Sequence, residues 1–203
     1  EKGDVALIVA DKNKVVLPVL GALRLVTAKR MDIIPEGFDY LWITEFPFFE
    51  WDEDSETWVA MHHPFTMPMD EDLNKLDSDP GAVRAKAYDL VLNGVELCSG
   101  SIRITDFELQ QKMFRALGLT DEEIEAKFGF LVDAYRYGAP PHGGMGIGLD
   151  RLAMILCGAD NIRDVTAFPK VQNASELMSQ CPSDIDKVQL DELALSIVKP
   201  EQE

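Results

Sequence analysis

GMGIGLDRLAM, residues 144–154, is the stretch that decides the fold of this chain. Glycines alternate with apolar residues up to Gly148, which predicts an extended strand, and the apolar run after Arg151 predicts a buried helix. Side chains reduced to hydrogen let a ligand lie flat against the backbone. An arginine at the junction offers a phosphate a fork of donors. A glycine-rich edge strand with an exposed arginine is the alternative that this stretch leaves open.

A β-hairpin is predicted over residues 88–98, YDLVLNGVELC, because Asn93-Gly94 is the preferred two-residue loop of type I′. The loop sets four opposed pairs: Leu92 with Val95, Val91 with Glu96, Leu90 with Leu97, and Asp89 with Cys98. Since opposed side chains share a face, Asp89 and Glu96 lie diagonally on one face, with Cβ atoms about 7–8 Å apart or somewhat less. That spacing fits a divalent ion or a hydroxyl-rich ligand. An ordinary solvated face is the alternative.

The residues that follow the hairpin extend the same surface. In SGSIRIT, residues 99–105, Ile102 and Ile104 are expected to point inward and Arg103 to point the other way. One sheet surface would then present Asp89, Glu96 and Arg103 with small residues between them.

The histidines do not predict a metal centre. His62 and His63 are neighbours, and neighbours on a strand face opposite sides. One is therefore expected in the core or behind the site and the other against a ligand, while His142 is expected in a loop. We find no nucleophile with a matching base, no P-loop and no Rossmann fingerprint. The predicted chemistry is therefore positioning and charge stabilisation.

The composition is that of an acidic globular chain. Its 203 residues have a formal net charge of −17 and 46% hydrophobic residues, which predicts one large domain or a domain and a fragment. This charge argues against a surface that grips nucleic acid by counterion release, although a small basic pocket is compatible with it. Cys98, Cys157 and Cys181 lack CxxC spacing, which predicts reduced thiols in a cytosolic protein. No apolar run reaches the roughly 20 residues of a membrane span. Because the chain opens with Glu1, we expect a piece of a longer protein.

The order of the elements predicts an antiparallel α+β fold, because strands and hairpins precede helices without regular βαβ alternation. Strands are expected at Val5–Ala10, Tyr40–Phe49, Trp58–His63, Ala85–Thr105 and Val165–Phe168. Tyr40–Phe49 and Trp58–His63 are expected to pair across an acidic turn. Helices are expected at about 15–28, 106–117 and 120–137, the last opened by a capping box. Pro18 is tolerable only in the first turn of its helix, and residues 32–39 are the expected boundary loop.

Together these features resemble the class II aminoacyl-tRNA synthetases, whose third motif matches GMGIGLDRLAM. More narrowly, the chain is similar to the C-terminal part of the bacterial-type aspartyl-tRNA synthetases. The supporting segments are FPFFEW at 46–51, HHPFT at 62–66, YDLVLNG at 88–94, GSIRI at 100–104, KFGFLVDAYRYGAPPHGG at 127–144, and DNIRDVTAFPK at 160–170. The resemblance implies part of the class II catalytic core, an antiparallel sheet flanked by helices, over residues 31–203. Residues 1–30 would be the end of the bacterial insertion domain.

The resemblance also implies roles for individual residues. ATP would be bound by Glu96, Gly148, Leu149, Asp150 and Arg151, and Mg²⁺ by Asp89 and Glu96. Arg103 would recognise the side-chain carboxylate of L-aspartate, with His62 lining the same site, and the catalytic residues would be Glu96, Arg103 and Arg151. The implied reaction joins the aspartate α-carboxylate to the α-phosphate of ATP, releases pyrophosphate, and then transfers the aspartyl group to the tRNA 3′ end. A bidentate guanidinium suits a carboxylate and disfavours an uncharged amide.

Three functions remain open at this stage. Segments matching the first and second class motifs and the anticodon-binding barrel are missing, so we expect part of an aspartate–tRNA ligase that is inactive alone. Its parent would be a cytoplasmic homodimer that acts on tRNA. The alternatives are a synthetase-like amino-acid ligase or the asparagine enzyme, which Arg103 disfavours, and a non-catalytic synthetase-like module. Cys98 and Ser99 depart from the glycine-rich neighbours expected near the nucleotide.

Overall fold

The structure, a computed structural model, describes residues 3–198 and divides into two compact units, Glu1–Asp39 and Tyr40–Glu203. The division falls at the end of the predicted boundary loop. In the first unit, helix α1 spans Asn13–Arg30 and confirms the helix expected there. Pro18 is its sixth residue and lies beyond the first turn, which was the only place where we expected a proline to be tolerated. The helix therefore continues although Pro18 has no N–H for the bond to the preceding turn.

The strand predicted at Val5–Ala10 is wrong. The segment is irregular, and Val5 and Ile8 are 85% and 87% exposed. A strand is stabilised by the hydrogen bonds of a neighbour, and the described part of this unit contains no strand to pair with. An apolar run alone therefore does not form a strand here.

The second unit contains a four-stranded antiparallel sheet, a separate two-stranded sheet and several helices, two of which come before the last strand. The strands of this unit are β1 Tyr40–Thr44, β2 Phe49–Asp52, β3 Thr57–Ala60, β4 Ala87–Leu92, β5 Val95–Ile102 and β6 Gly143–Ile147. Its helices are α2 Phe107–Ala116, α3 Asp121–Arg136, α4 Leu149–Leu156 and α5 Lys187–Glu192, and 3₁₀ turns occur at Asp70–Lys75, Pro80–Ala82 and Ile162–Asp164. The main sheet has the order β1-β4-β5-β6 with antiparallel neighbours throughout. This arrangement confirms the predicted α+β class.

The long aromatic strand predicted at 40–49 is divided in two. Glu45 has a φ of 59°, a left-handed conformation that ends β1, and Pro47 then has no N–H for a ladder. Strand β1 pairs with β4, and β2 pairs with β3 in a separate two-stranded sheet. The predicted hairpin partner of Tyr40–Phe49 is therefore correct only for the β2 part.

The strand predicted at Val165–Phe168 is also wrong. A 3₁₀ turn at Ile162–Asp164 precedes it, capped by the side chain of Asn161, which accepts a hydrogen bond from the Arg163 N–H at 3.0 Å. The Thr166 hydroxyl donates to the Ile162 carbonyl at 2.7 Å. These local bonds hold the backbone in a turn and compete with an extended conformation.

The hydrophobic core is formed in part by residues that follow β5 and by residues of α2. One cluster of buried side chains joins the turns before β4 to this helix, and it includes Phe48, Phe49, Val83, Ile104 and Met113. A second cluster joins α2 to α3, where the rings of Phe114 and Phe128 stack at 4.6 Å. Helix α3 begins with the predicted capping box between Thr120 and Glu123. Ile104 is fully buried as expected, but Ile102 is 40% exposed.

No helix within residues 3–198 is long and apolar enough to cross a bilayer. This result concerns the helices of the described chain alone.

Candidate functional site

The turn of the predicted hairpin forms as expected, but the register changes halfway along it. Asn93 and Gly94 have φ values of 50° and 80°, which a type I′ loop requires. Two of the four predicted pairs follow, Leu92 with Val95 and Val91 with Glu96. The other two are wrong, since Leu90 faces Cys98 and Asp89 faces Ser99. Leu97 is the extra residue of a β-bulge between these pairs.

The bulge brings both predicted carboxylates to the same face as the serines of β5. Side chains alternate along a strand, so Glu96 and Ser99, three residues apart, would lie on opposite faces of a regular strand. The extra residue Leu97 reverses the alternation, and the register then places Ser99 and Ser101 on the face that carries Asp89 and Glu96. We call this face of the main sheet the site face. The predicted common face of the two acids is present in the structure.

Arg103 lies directly after β5 and borders a cavity of about 280 Å³. The cavity is lined by His62, His63, Ala87, Ser99, Gly100, Ser101 and Arg103. Nη1 of Arg103 donates to Ser101 Oγ at 2.8 Å and lies against Nε2 of His63. The Arg103 N–H donates to the carbonyl oxygen of His142 at 3.0 Å, and Thr66 forms a backbone bridge with Arg103. Hydrogen bonds thus hold both the side chain and the backbone of Arg103 in place.

The adjacent histidines both border this cavity, but in different ways. His62 is exposed, and its ring meets Phe46 edge-on at 4.9 Å. His63 is partly buried, and its Nδ1 accepts a hydrogen bond from the Phe65 N–H at 3.2 Å. Burial lowers the pKa of His63, as do the charge of Arg103 and then His62. A neutral imidazole therefore lies beside Arg103, which agrees with the expectation that one of the two histidines is behind the site.

The predicted glycine-rich strand is present as β6, and we call Gly144 and Gly146 of this strand the glycine platform. Gly144 faces Ser101 and Gly146 faces Ser99, so both glycines lie on the site face. A Cβ placed on either would meet nothing within 4 Å, which leaves open space over the strand. A cavity of about 380 Å³ lies there, lined by Ser99, Gly100, Arg103, His142, Gly143, Gly144, Met145 and Gly146. It shares Ser99, Gly100 and Arg103 with the first cavity, so the two adjoin along β5.

Arg151, the third residue of α4, meets Glu96 next to the bulge. Its Nη1 donates to the Glu96 carbonyl oxygen at 2.6 Å and lies 3.4 Å from Glu96 Oε1. The helix start is fixed because the Gly148 N–H donates to the Leu97 carbonyl at 2.9 Å. The structure therefore brings together two of the residues predicted for ATP, with Leu149 and Asp150 exposed in the same turn.

The helix that follows is less buried than predicted. Leu149 and Leu156 are 73% and 68% exposed, and no residue of α4 is fully buried. Within the described chain, α4 packs against β5 and the 3₁₀ turn at Ile162–Asp164. These elements cover one side of the helix, so its apolar run remains half exposed.

Asp89 carries an acceptor without a partner. Its Oδ1 atom is buried and receives no hydrogen bond from the described residues. Leaving such an acceptor unpaired costs about 1–3 kcal/mol, so a ligand donor or a cation would stabilise the site. Within residues 3–198, no group of three or more His, Cys, Asp or Glu side chains could hold a metal ion. Two carboxylates completed by substrate phosphates are the usual arrangement for Mg²⁺, and Asp89 with Glu96 fits it.

The two residues that depart from the expected glycines lie on opposite faces. Ser99 is exposed on the site face, whereas Cys98 is buried on the other face with Sγ 3.6 Å from Met145 Sδ. Cys98, Cys157 and Cys181 are all free thiols. The thiol of Cys98 therefore faces away from both cavities.

Comparison with protein families gives one match over most of the chain. Residues 22–172 match the family described as tRNA synthetases of class II (D, K and N). Among curated relatives, an aspartate–tRNA ligase of Ruminiclostridium cellulolyticum is 60% identical over 98% of this chain. An aspartate–tRNA(Asp/Asn) ligase of Caldanaerobacter subterraneus is 56% identical over 97% of it. These alignments cover 34% and 33% of the relatives, so the chain spans about a third of their length.

Comparison with solved structures gives the same group. An aspartyl-tRNA synthetase from Entamoeba histolytica has a TM-score of 0.53 and 26% identity, over 82% of this chain and 29% of that one. A structure described as a putative aspartyl-tRNA synthetase from Leishmania major has a TM-score of 0.51 and 26% identity, over 83% of this chain and 27% of that one.

Proposed function

The chain belongs to the class II tRNA synthetases, and from this we propose that it is part of an aspartate–tRNA ligase whose two adjoining cavities bind L-aspartate and ATP. The names of the curated relatives support aspartate as the amino acid and tRNA as its acceptor. The resemblance of the sequence supports a cytoplasmic homodimer, with residues 1–30 as the end of an insertion domain and residues 31–203 as the C-terminal part of the catalytic domain.

The observation that carries this proposal is the absence of a charged partner for Arg103. Among residues 3–198, no carboxylate pairs with its guanidinium, although Arg84, Lys86 and Arg115 each pair with an acid. A partly buried cation without a counter-charge is costly, and a carboxylate accepts the guanidinium fork in a bidentate geometry. The side-chain carboxylate of aspartate would supply the missing charge. An asparagine amide would leave it unpaired.

In the proposed reaction, the site residues position and neutralise charge. Arg103, backed by His63 and Ser101, would orient aspartate in the smaller cavity. Arg151 would contact ATP phosphates over the glycine platform. Asp89 and Glu96 would hold Mg²⁺, and a bound ion would supply positive charge to the phosphates of ATP. Fixed charges of this kind act most strongly where water is excluded.

The test is aspartate-dependent ATP–pyrophosphate exchange by the complete protein that contains this chain. We expect Arg103→Ala to reduce exchange by roughly 1000-fold or more, as expected when a charged substrate contact is removed from a buried site, while ATP binding persists. Arg115→Ala, which removes an exposed arginine on α2, is the control and should leave exchange unchanged.

Two results would contradict the proposal. One is an Arg103→Ala protein whose KM for aspartate stays within twofold of the wild-type value. The other is a wild-type protein that exchanges with asparagine and not with aspartate.

A further inference from the structure

Strand β6, which forms the glycine platform, has little support of its own. It is the edge of the main sheet and, within the described residues 3–198, pairs with β5 alone. Every residue of Gly143–Ile147 is exposed, and three of the five are glycines. Glycine weakens a strand because it has no side chain to pack and loses more conformational freedom on folding. The position of this backbone therefore needs a contact from outside the β5 ladder.

Tyr88 supplies such a contact from two strands away. Its hydroxyl donates to the main-chain carbonyl oxygen of Gly144 at 3.1 Å. Tyr88 lies on β4 opposite Gly100 of β5, on the face away from the site. To reach β6, its ring crosses the strand between them.

The residue that the ring crosses has to be glycine. A Cβ on Gly100 would lie 2.7 Å from Cε2 of Tyr88 and would collide with the Gly144 carbonyl oxygen. On its other side, the Tyr88 ring meets Trp42 edge-on, with centroids 6.0 Å apart and planes at 76°. The ring is thus confined between Trp42 and the backbone at Gly100, which directs the hydroxyl toward β6.

We propose that Tyr88 is a positioning residue that fixes the glycine strand for ATP by binding the Gly144 carbonyl from behind the sheet. This inference rests on the proposed function, because it assigns ATP to the site face of Gly144 and Gly146. Tyr88 touches no substrate; it acts through β6. Aspartate, bound at the cavity around Arg103 and His63, depends less on β6.

The first experiment measures the strand itself. In the complete protein, Tyr88→Phe keeps the ring and removes the hydroxyl. We expect hydrogen–deuterium exchange of the amides of 144–147 to quicken about fivefold or more, as expected for the loss of one hydrogen bond, with the amides of β4 unchanged. Tyr40→Phe is the matched control, since Tyr40 lies on the same face of the same sheet, on the strand farthest from β6.

The second experiment measures ATP–pyrophosphate exchange at varied substrate concentrations. We expect Tyr88→Phe to raise the KM for ATP about 5–10-fold, with the KM for aspartate and the Tm unchanged. A general loss of structure would move both KM values and the Tm together, which would overturn the proposal. So would wild-type exchange rates at 144–147 or an unchanged KM for ATP.

The two experiments also separate this inference from the proposed function. A wild-type protein without aspartate-dependent exchange refutes the proposed function. The amide exchange of 144–147 then still decides whether Tyr88 holds β6.

Discussion

At the scale of single residues, the charged groups of the site are set by their immediate surroundings. Arg103 and Arg151 are both cations after a strand, yet Arg151 pairs with Glu96 while Arg103 has neutral partners. Arg151 has the carboxylate of Glu96 beside it, and Arg103 has none among residues 3–198. The same residue type therefore has two different electrostatic surroundings.

His63 gives a prediction about pH. Its pKa is lowered in the folded chain, first by burial and then by the charge of Arg103. The unfolded chain therefore binds a proton more readily, and stability is lost as pH falls below the ordinary histidine value of about 6.5. We expect the free energy of unfolding in urea to decline from pH 7 to pH 5, and His63→Gln to remove the part of this decline that His63 causes.

The control for this measurement is His62→Gln, because His62 is exposed in the same dipeptide. It should keep the wild-type decline. If His63→Gln also kept it, the lowered pKa of His63 would not contribute to stability.

At the scale of secondary structure, the glycines of the main sheet have two distinct reasons to be glycine. Gly146 has open space where a Cβ would lie, whereas at Gly100 a Cβ would collide with neighbouring atoms. The proposed function needs the open space at the first position for a ligand, whereas close approach of the backbone requires glycine at the second.

Substitution of these two glycines should therefore have different effects: one should change ATP binding and the other should change stability. Gly146→Val should leave the Tm unchanged within about 2 °C, because valine favours a strand and meets no atom, but raise the KM for ATP at least about tenfold by filling the platform. Gly100→Ala should lower the Tm by roughly 5 °C or more, because overpacking against the backbone costs about 1–3 kcal/mol. Thermal unfolding and pyrophosphate exchange measure both. A stable Gly146→Val protein with wild-type KM for ATP would show that no ligand lies on β6.

At the scale of the whole second unit, one buried carboxylate joins distant segments. Asp72 is fully buried and accepts from Arg84 Nε at 2.8 Å and from Lys75 Nζ at 2.6 Å. Arg84 also pairs with Glu45 at the end of β1. The network thus ties the 3₁₀ turn at Asp70–Lys75 to the segment before β4 and to the main sheet.

This network gives a prediction about stability. The bonds from Arg84, and then Lys75, hold the pKa of Asp72 well below its usual range, so its contribution is present at neutral pH and is lost as pH falls below about 3.9. We expect Asp72→Asn to lower the Tm at pH 7 by roughly 5 °C or more, because the buried side chain at this position then lacks the charge that pairs with Arg84 and Lys75. The difference from wild type should shrink toward pH 3.

Asp70→Asn is the matched control, since it breaks an exposed pair with Lys86 and exposed pairs contribute little. Equal Tm changes in the two variants would mean that burial of Asp72 has no special effect. Thermal unfolding followed by circular dichroism at each pH gives the comparison.

The sequence by itself determined the hairpin turn, the start of α3 and the glycine-rich strand, because neighbouring residues in the chain cause each of them. Asn93-Gly94 fixed the hairpin turn because few residue pairs tolerate two positive φ values. Thr120 and Glu123 fixed the start of α3 because each satisfies the backbone donor of the other. The alternation of glycine with apolar residues from Gly144 to Gly148 likewise predicted a strand with an open face, and β6 covers Gly143–Ile147.

Tertiary structure decided what depends on partners distant in the chain. The bulge at Leu97 lies where β5 runs between β4 and β6 and where the Leu97 carbonyl accepts a hydrogen bond from the Gly148 N–H, and the bulge puts Glu96 on the face of Ser99 and Ser101. The apolar run at 5–10 is irregular, and the described part of its unit contains no strand with which it could pair. Whether an apolar segment becomes a strand, and in which register, depends on the distant backbone groups that complete its hydrogen bonds. A short segment of sequence does not contain that information.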